Sequence, residues 1–269
     1  MSKIVLVTAA STGLGAMTAF ALARAGHTVY AGFGPADDVL PDDLTAVGDQ
    51  VLSPDARLHP LALDTADQRS VSAAIGEVTR RSGRVDAVIH ALGPVPRGPV
   101  ESFTPYQLAQ IYDAHVLSSQ RVNRAVLPAM RERRDGLLIW VVPARDGADA
   151  TPYLALHAEA VTVIDHLAAS YAKELAGFGI EVSTVTCGSL AAGVGRHPGL
   201  IHPDDTETFA AYDVRHPGLV ESVDTALARQ AADAADIAET AGAIVGLVND
   251  PKGRRGRRVT TGTPPGPGH

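Results

Sequence analysis

The chain has 269 residues, 45% hydrophobic and 20% charged, with a formal net charge of -7. A single cysteine, Cys187, excludes a disulfide framework and a multi-cysteine zinc site, and the mildly acidic balance argues against a nucleic-acid partner. No apolar run approaches the roughly 18 residues of a membrane span, and the start Met1-Ser-Lys-Ile-Val-Leu-Val lacks a secretory leader, so a cytoplasmic protein without a membrane partner is expected.

Lys3 to Thr8 is an apolar, β-branched run that stops at small residues, and a helical pattern over 13–24 follows, ended by Gly26. Further strands are predicted at 28–32, 57–63, 85–91, 137–142, 180–186 and 258–261. Helical patterns separate them at about 67–82, 104–134, 153–178 and 233–249. Continuous apolar strands alternating with helices predict a parallel sheet buried on both faces. The expected fold is therefore α/β: one Rossmann-like, doubly wound domain over residues 1–262.

Between these elements, Asp37 to Pro54 reads as an irregular acidic connection. The stretch from Cys187 to about Val220 contains Gly193, Gly195, Pro198, Pro203 and Pro217, so 187–220 reads as a substrate or lid loop beside the ligand crevice. The basic cluster Lys252, Arg254, Arg255, Arg257 and Arg258 reads as a solvated turn before the last strand, and 263–269 as a disordered tail.

After the first strand stands Thr8-Ala9-Ala10-Ser11-Thr12-Gly13-Leu14-Gly15. A glycine-rich turn opening a helix points backbone N–H groups and the positive end of the helix dipole at an anion. The turn resembles the Thr-Gly-x-x-x-Gly-x-Gly of the short-chain dehydrogenase/reductase family, with Ala9 at the first glycine. Leu63-Asp64 is similar to that family's Leu-Asp, whose Asp contacts adenine. His90-Ala91-Leu92-Gly93 resembles its Asn-Asn-Ala-Gly turn, Ile111-Tyr-Asp-Ala-His-Val116 the segment with its active-site Asn, and Glu174-Leu-Ala-Gly-Phe-Gly-Ile-Glu-Val182 the close of its catalytic helix. The likeness covers about residues 3–261. It implies an NAD(P) site with contacts from Thr8, Ser11, Gly13, Gly15, Asp64 and Gly93.

The family works with an Asn, a Ser, a Tyr and a Lys. Its Tyr exchanges the proton, and a Lys four residues later lowers the Tyr pKa and holds the nicotinamide ribose. Counting back from Glu174-Leu-Ala puts the tyrosine position at His157. Counting from Pro143-Ala144-Arg145-Asp146-Gly147 puts the serine position at Ala144, thirteen residues earlier as the family requires. The lysine position is then Val161 and the Asn position His115, so by resemblance all four are replaced. Cofactor features are thinned as well: Gly32-Phe33-Gly34-Pro35 offers no cation for a 2′-phosphate, Ala91 replaces an Asn, and Cys187-Gly188 replaces a Pro-Gly. Weak NAD(P) binding is expected.

By resemblance His115 and His157 share one crevice, and imidazole exchanges protons near neutral pH without a helping lysine. The plain alternative is that both fill vacated volume. A register in which Tyr153 and His157 stand for the Tyr and Lys breaks both anchors. Arg145 and Asp146 read as a solvated pair, and Cys187 as a packing residue. His197, His202 and His216 with Asp204 and Asp205 are too loosely spaced for a metal site, so no metal is expected. The long helical patterns at 104–134 and 153–178 resemble the family's subunit-joining helices. They imply a homo-oligomer, or a hetero-oligomer with an active family member.

Three functions stay open, with a small-molecule ligand in the crevice in each. A pseudoenzyme subunit and a non-redox enzyme of secondary metabolism using His157 and His115 stand ahead of an NAD(P)-dependent oxidoreductase or ketoreductase with His157 in place of the tyrosine.

Overall fold

Short apolar segments become strands here because both of their faces are covered. The computed structural model describes residues 1–11, 13–34, 57–91, 93–143, 152–187, 200–231 and 234–262. Strands β1 (Ile4–Val7), β2 (Thr28–Phe33), β3 (Leu58–Ala62) and β4 (Ala87–His90) are separated by helices α1 (Gly13–Arg24) and α2 (Gln68–Ser82). A two-residue strand β5 (Val95–Pro96) follows, then α3 (Pro105–Tyr112), a π turn (Asp113–Leu117) and α4 (Ser118–Arg133). The chain continues through β6 (Gly136–Pro143), α5 (Ala155–Leu175), β7 (Ile180–Cys187) and β8 (Leu200–Ile201). It ends with α6 (Thr206–Arg215), α7 (Leu219–Ala231), α8 (Ala234–Asn249) and β9 (Arg258–Thr261).

Among the described residues, seven strands form one sheet in the order β3-β2-β1-β4-β6-β7-β9, with every pairing parallel. Alternate residues face opposite layers. Leu6, Val88, Leu138 and Trp140 belong to one core with residues of α2, α4 and α5, while Val5, Val7, Ile89 and Ile139 belong to the other with residues of α1 and α8. The order reverses between β1 and β4, the switch point where such sheets open a crevice at their carboxyl ends. This is the Rossmann-like doubly wound α/β domain that the strand pattern predicts.

Local signals explain the helix ends. Asp67 caps α2 by accepting from the Arg69 amide at 3.0 Å. Thr104 and Gln107 form a reciprocal capping box at α3, with Pro105 in the first turn.

Three parts depart from the sequence reading. The pattern at 104–134 is not one helix but two, joined by the π turn. The described part of 187–220 is not a plain loop: β8 pairs with β5, and Asp205 caps α6 through the Thr208 amide at 2.9 Å. Pro203 and Pro217 bracket that helix without interrupting it, which is why the segment reads as irregular. The basic cluster is not merely solvated either, because Arg255 is buried against Glu181 and Lys252 donates to the Arg134 carbonyl at 2.6 Å. Asp37 to Pro54, Ala144 to Asp146, His197 and the tail 263–269 lie outside the described residues.

Candidate functional site

At the switch point the carboxyl ends of β1 and β4 are tied together. The Thr8 amide donates to Ile89 at 3.0 Å, and the Thr8 hydroxyl accepts from the Ala91 amide at 3.4 Å. Ser11 is buried in the turn that leads to Gly13, the first residue of α1. Gly15 lies against the same turn: a Cβ there would stand 1.7 Å from the Ala9 carbonyl oxygen. The turn therefore needs glycine at 15, and Gly15→Ala should lower stability by about 1–3 kcal/mol through overpacking. A denaturant melt checks this, and an unchanged midpoint would contradict it.

This turn suits a dinucleotide phosphate. No acidic side chain stands in the first turn of α1, so nothing opposes an anion at the positive end of its dipole. Asp64, after β3, is half-buried and bends back on its own loop, with Oδ1 accepting from the Ala66 amide at 2.9 Å. Gly93 sits against His115, where a Cβ would lie 3.0 Å from Cε1 of that ring.

His115 stands on the π turn, a widened turn of the kind that collects at functional sites. The Ser118 amide reaches back to the Asp113 carbonyl to form it. Arg121 then holds it, donating to the Asp113 carboxylate at 2.5 Å and to the Thr65 carbonyl at 3.2 Å. His115 Nε2 lies 2.7 Å from the Pro94 carbonyl. A carbonyl only accepts, so Nε2 carries the proton and Nδ1 keeps its lone pair. The ring is buried, which holds its pKa below the ordinary value despite that bond.

His157, in the first turn of α5, faces His115 edge-on with ring centroids 5.8 Å apart and planes at 71°. It is buried, and neither ring nitrogen has a hydrogen-bond partner among the described residues. Burial first, and the neighbouring His115 second, push its pKa down to about 3. A neutral imidazole thus keeps one donor and one acceptor unused in a buried place. Val161, one turn on, is buried in the core that also holds Val142. Ala144 lies outside the described residues.

A third imidazole, His90, stands at the carboxyl end of β4. His90 Nε2 meets Asn123 Oδ1 at 2.8 Å, and its ring packs tilted against Trp140 with centroids 4.7 Å apart. Complete burial lowers its pKa to about 4. Other candidates are used elsewhere. Cys187 is buried near the Val142 carbonyl, Tyr153 packs with Val95, Leu154 and Val223, and His202 accepts from Arg97. Among the described residues no three His, Cys, Asp or Glu side chains gather as metal ligands, and no helix is long and apolar enough to cross a membrane.

Residues 3–197 match the family model described as short chain dehydrogenase. Oxidoreductase BOA17 of Botryotinia fuckeliana is 28% identical over 190 residues, covering 71% of this chain and 66% of the relative. The chain spans between 54% and 66% of the length of four such curated relatives. A short-chain dehydrogenase from Streptomyces avermitilis superposes with a TM-score of 0.75 at 26% identity, covering 97% of this chain and 89% of that one. The fold is shared with an alcohol dehydrogenase from Thermococcus sibiricus, complexed with 5-hydroxy-NADP, at a TM-score of 0.72, 18% identity and full coverage of both chains.

Proposed function

The chain belongs to the short-chain dehydrogenase family, and from that premise we propose that it is an NAD(P)-dependent oxidoreductase of a small alcohol or carbonyl compound, with His157 as its proton-transfer group. The observation that carries this reading is the pair of unspent nitrogens on His157, sealed from solvent beside His115. Buried polar atoms without partners are rare, and a ligand atom is one reason for them. The named chemistry of the relative and of the solved neighbours favours oxidoreduction over a subunit with no chemistry of its own.

Thr8, Ser11, Gly13, Gly15, Asp64 and Gly93 are the residues that would hold the dinucleotide. When bound, it supplies the acceptor or donor of the hydride. The remaining work falls to side chains of this chain. His115, fixed by Pro94, stays neutral and shapes the pocket wall against Gly93. His157 has an uncharged ring nitrogen without a partner among the described residues, which would take the hydroxyl proton of an alcohol as its carbon becomes a carbonyl. The lowered pKa that burial imposes opposes that uptake and makes the imidazolium quick to pass the proton on. No cation at 161 is needed for an imidazole that is already uncharged. We place assembly, as a homo-oligomer or with an active relative, on the surface that runs from α3 to the turn after α5, where Leu108, Tyr112, Leu117 and Phe178 remain exposed.

A second reading, a partner subunit or a cofactor-free acid–base enzyme, is favoured by one observation: Val161 is apolar and buried, so no ammonium stands there for a nicotinamide ribose. Turnover separates the two. Purified protein given NAD or NADP and a panel of secondary alcohols should form reduced nicotinamide with at least one of them. Release of product without any change in the nicotinamide would support the second reading instead.

A further inference from the structure

We propose that Arg97 is the receptor for a carboxylate on the substrate, a deepening that rests on the small-molecule reading above. Arg97 follows β5, its amide bonded to the Ile201 carbonyl at 2.9 Å. Its side chain is more than nine-tenths buried, an uncommon place for a guanidinium. Among the described residues only Nη2 makes a side-chain hydrogen bond, donating to His202 Nδ1 at 3.3 Å. Asp224 Oδ1 stands 3.2 Å from Nε, yet Nε and Nη1 are both sealed from solvent without a hydrogen bond. The charge is thus balanced while two donors of the planar fork go unused. A pair built only to pin α7 would align them bidentately. Asp224 is the half-exposed member, with 47% of its side chain accessible, so it is the partner that can turn away when another carboxylate arrives.

The position suits a substrate group. Pro94, whose carbonyl anchors His115, precedes Arg97 by three residues, a span of at most about 10 Å. The Gly98 amide donates to the Tyr153 carbonyl at 2.9 Å, and Tyr153 lies four residues before His157, in the turn that leads into α5. The Tyr153 hydroxyl is itself buried without a partner, and its backbone is held at a φ of 66°, a strained conformation for a tyrosine that recurs at ligand sites. A hydroxy or oxo acid with a few bonds between its reacting carbon and its carboxylate would reach both groups.

The test is calorimetric titration of the full chain with benzoate and, as its neutral counterpart, benzamide. Wild type should bind benzoate at least tenfold more tightly, and Arg97→Met should erase that preference. Asp224→Asn, a change at a half-exposed site, should tighten benzoate binding because it removes the competing carboxylate. Equal affinity for the two probes, or benzoate binding unchanged or weakened in Asp224→Asn, would overturn the proposal. No dinucleotide or turnover is needed, so failure here is distinct from failure of the oxidoreductase reading.

Discussion

Replacing His157 with methionine is expected to leave the protein as stable or more stable while sharply lowering turnover. The two effects separate because the histidine does nothing for the fold. It is buried with both ring nitrogens unpartnered, and an unsatisfied buried polar group costs about 1–3 kcal/mol that an apolar side chain of similar volume does not. Turnover depends on that same group for proton transfer, so kcat should fall by about 10²–10⁴-fold. Denaturant melts and steady-state rates on one preparation read both. A loss of stability in His157→Met, or a rate within a few-fold of wild type, would contradict the assignment.

Acidification from pH 7 to pH 5 should cost several kcal/mol of folding stability. The pKa values of His90 and His157 are lowered by burial to about 4 and about 3, against an unfolded value near 6.5. Between those limits the unfolded chain binds more protons than the folded one, so stability rises with pH. The contribution is fully present above pH 6.5 and is lost as pH falls below it. At pH 5 each histidine has lost about 2 kcal/mol, and together they remove a large share of a typical domain's 5–15 kcal/mol. His27, His59 and His115 are lowered as well and act with the same sign. The lowered carboxyls of Glu77 and Asp205 act only below their ordinary range near pH 4, outside this window. Guanidinium midpoints at the two pH values test the effect, and His157→Met should flatten it by its own share. Equal midpoints would contradict the burial of these rings as neutral groups.

How far the sequence discloses this molecule depends on the distance over which a signal acts. The strands of the main sheet read clearly because the central ones are local apolar runs covered on both faces, as in β1, β4 and β6. The glycine-rich turn at Thr8–Gly15 is legible from its residues and its place after the first strand. His115 and His157 were brought to one site by resemblance, and the rings lie 5.8 Å apart. What escaped was relational. The π turn depends on Arg121 reaching Asp113 and Thr65, which no helical periodicity records. The helix α6 hid between two prolines that mark its ends. His90 meets Asn123 across 33 residues, His115 is anchored by a backbone carbonyl rather than a side chain, and Arg97 looks like any surface arginine until β8 and α7 close over it.

The central claim is that the crevice binds a nicotinamide dinucleotide, and calorimetric titration of the full chain with NADH and NADPH tests it most directly. Micromolar binding to wild type is predicted, with a thermal shift worth about 2.7 kcal/mol at a hundredfold excess over the dissociation constant, and much weaker binding to Gly15→Ala. No heat and no shift with either cofactor at millimolar concentration would contradict the account and leave the partner-subunit or cofactor-free reading in its place.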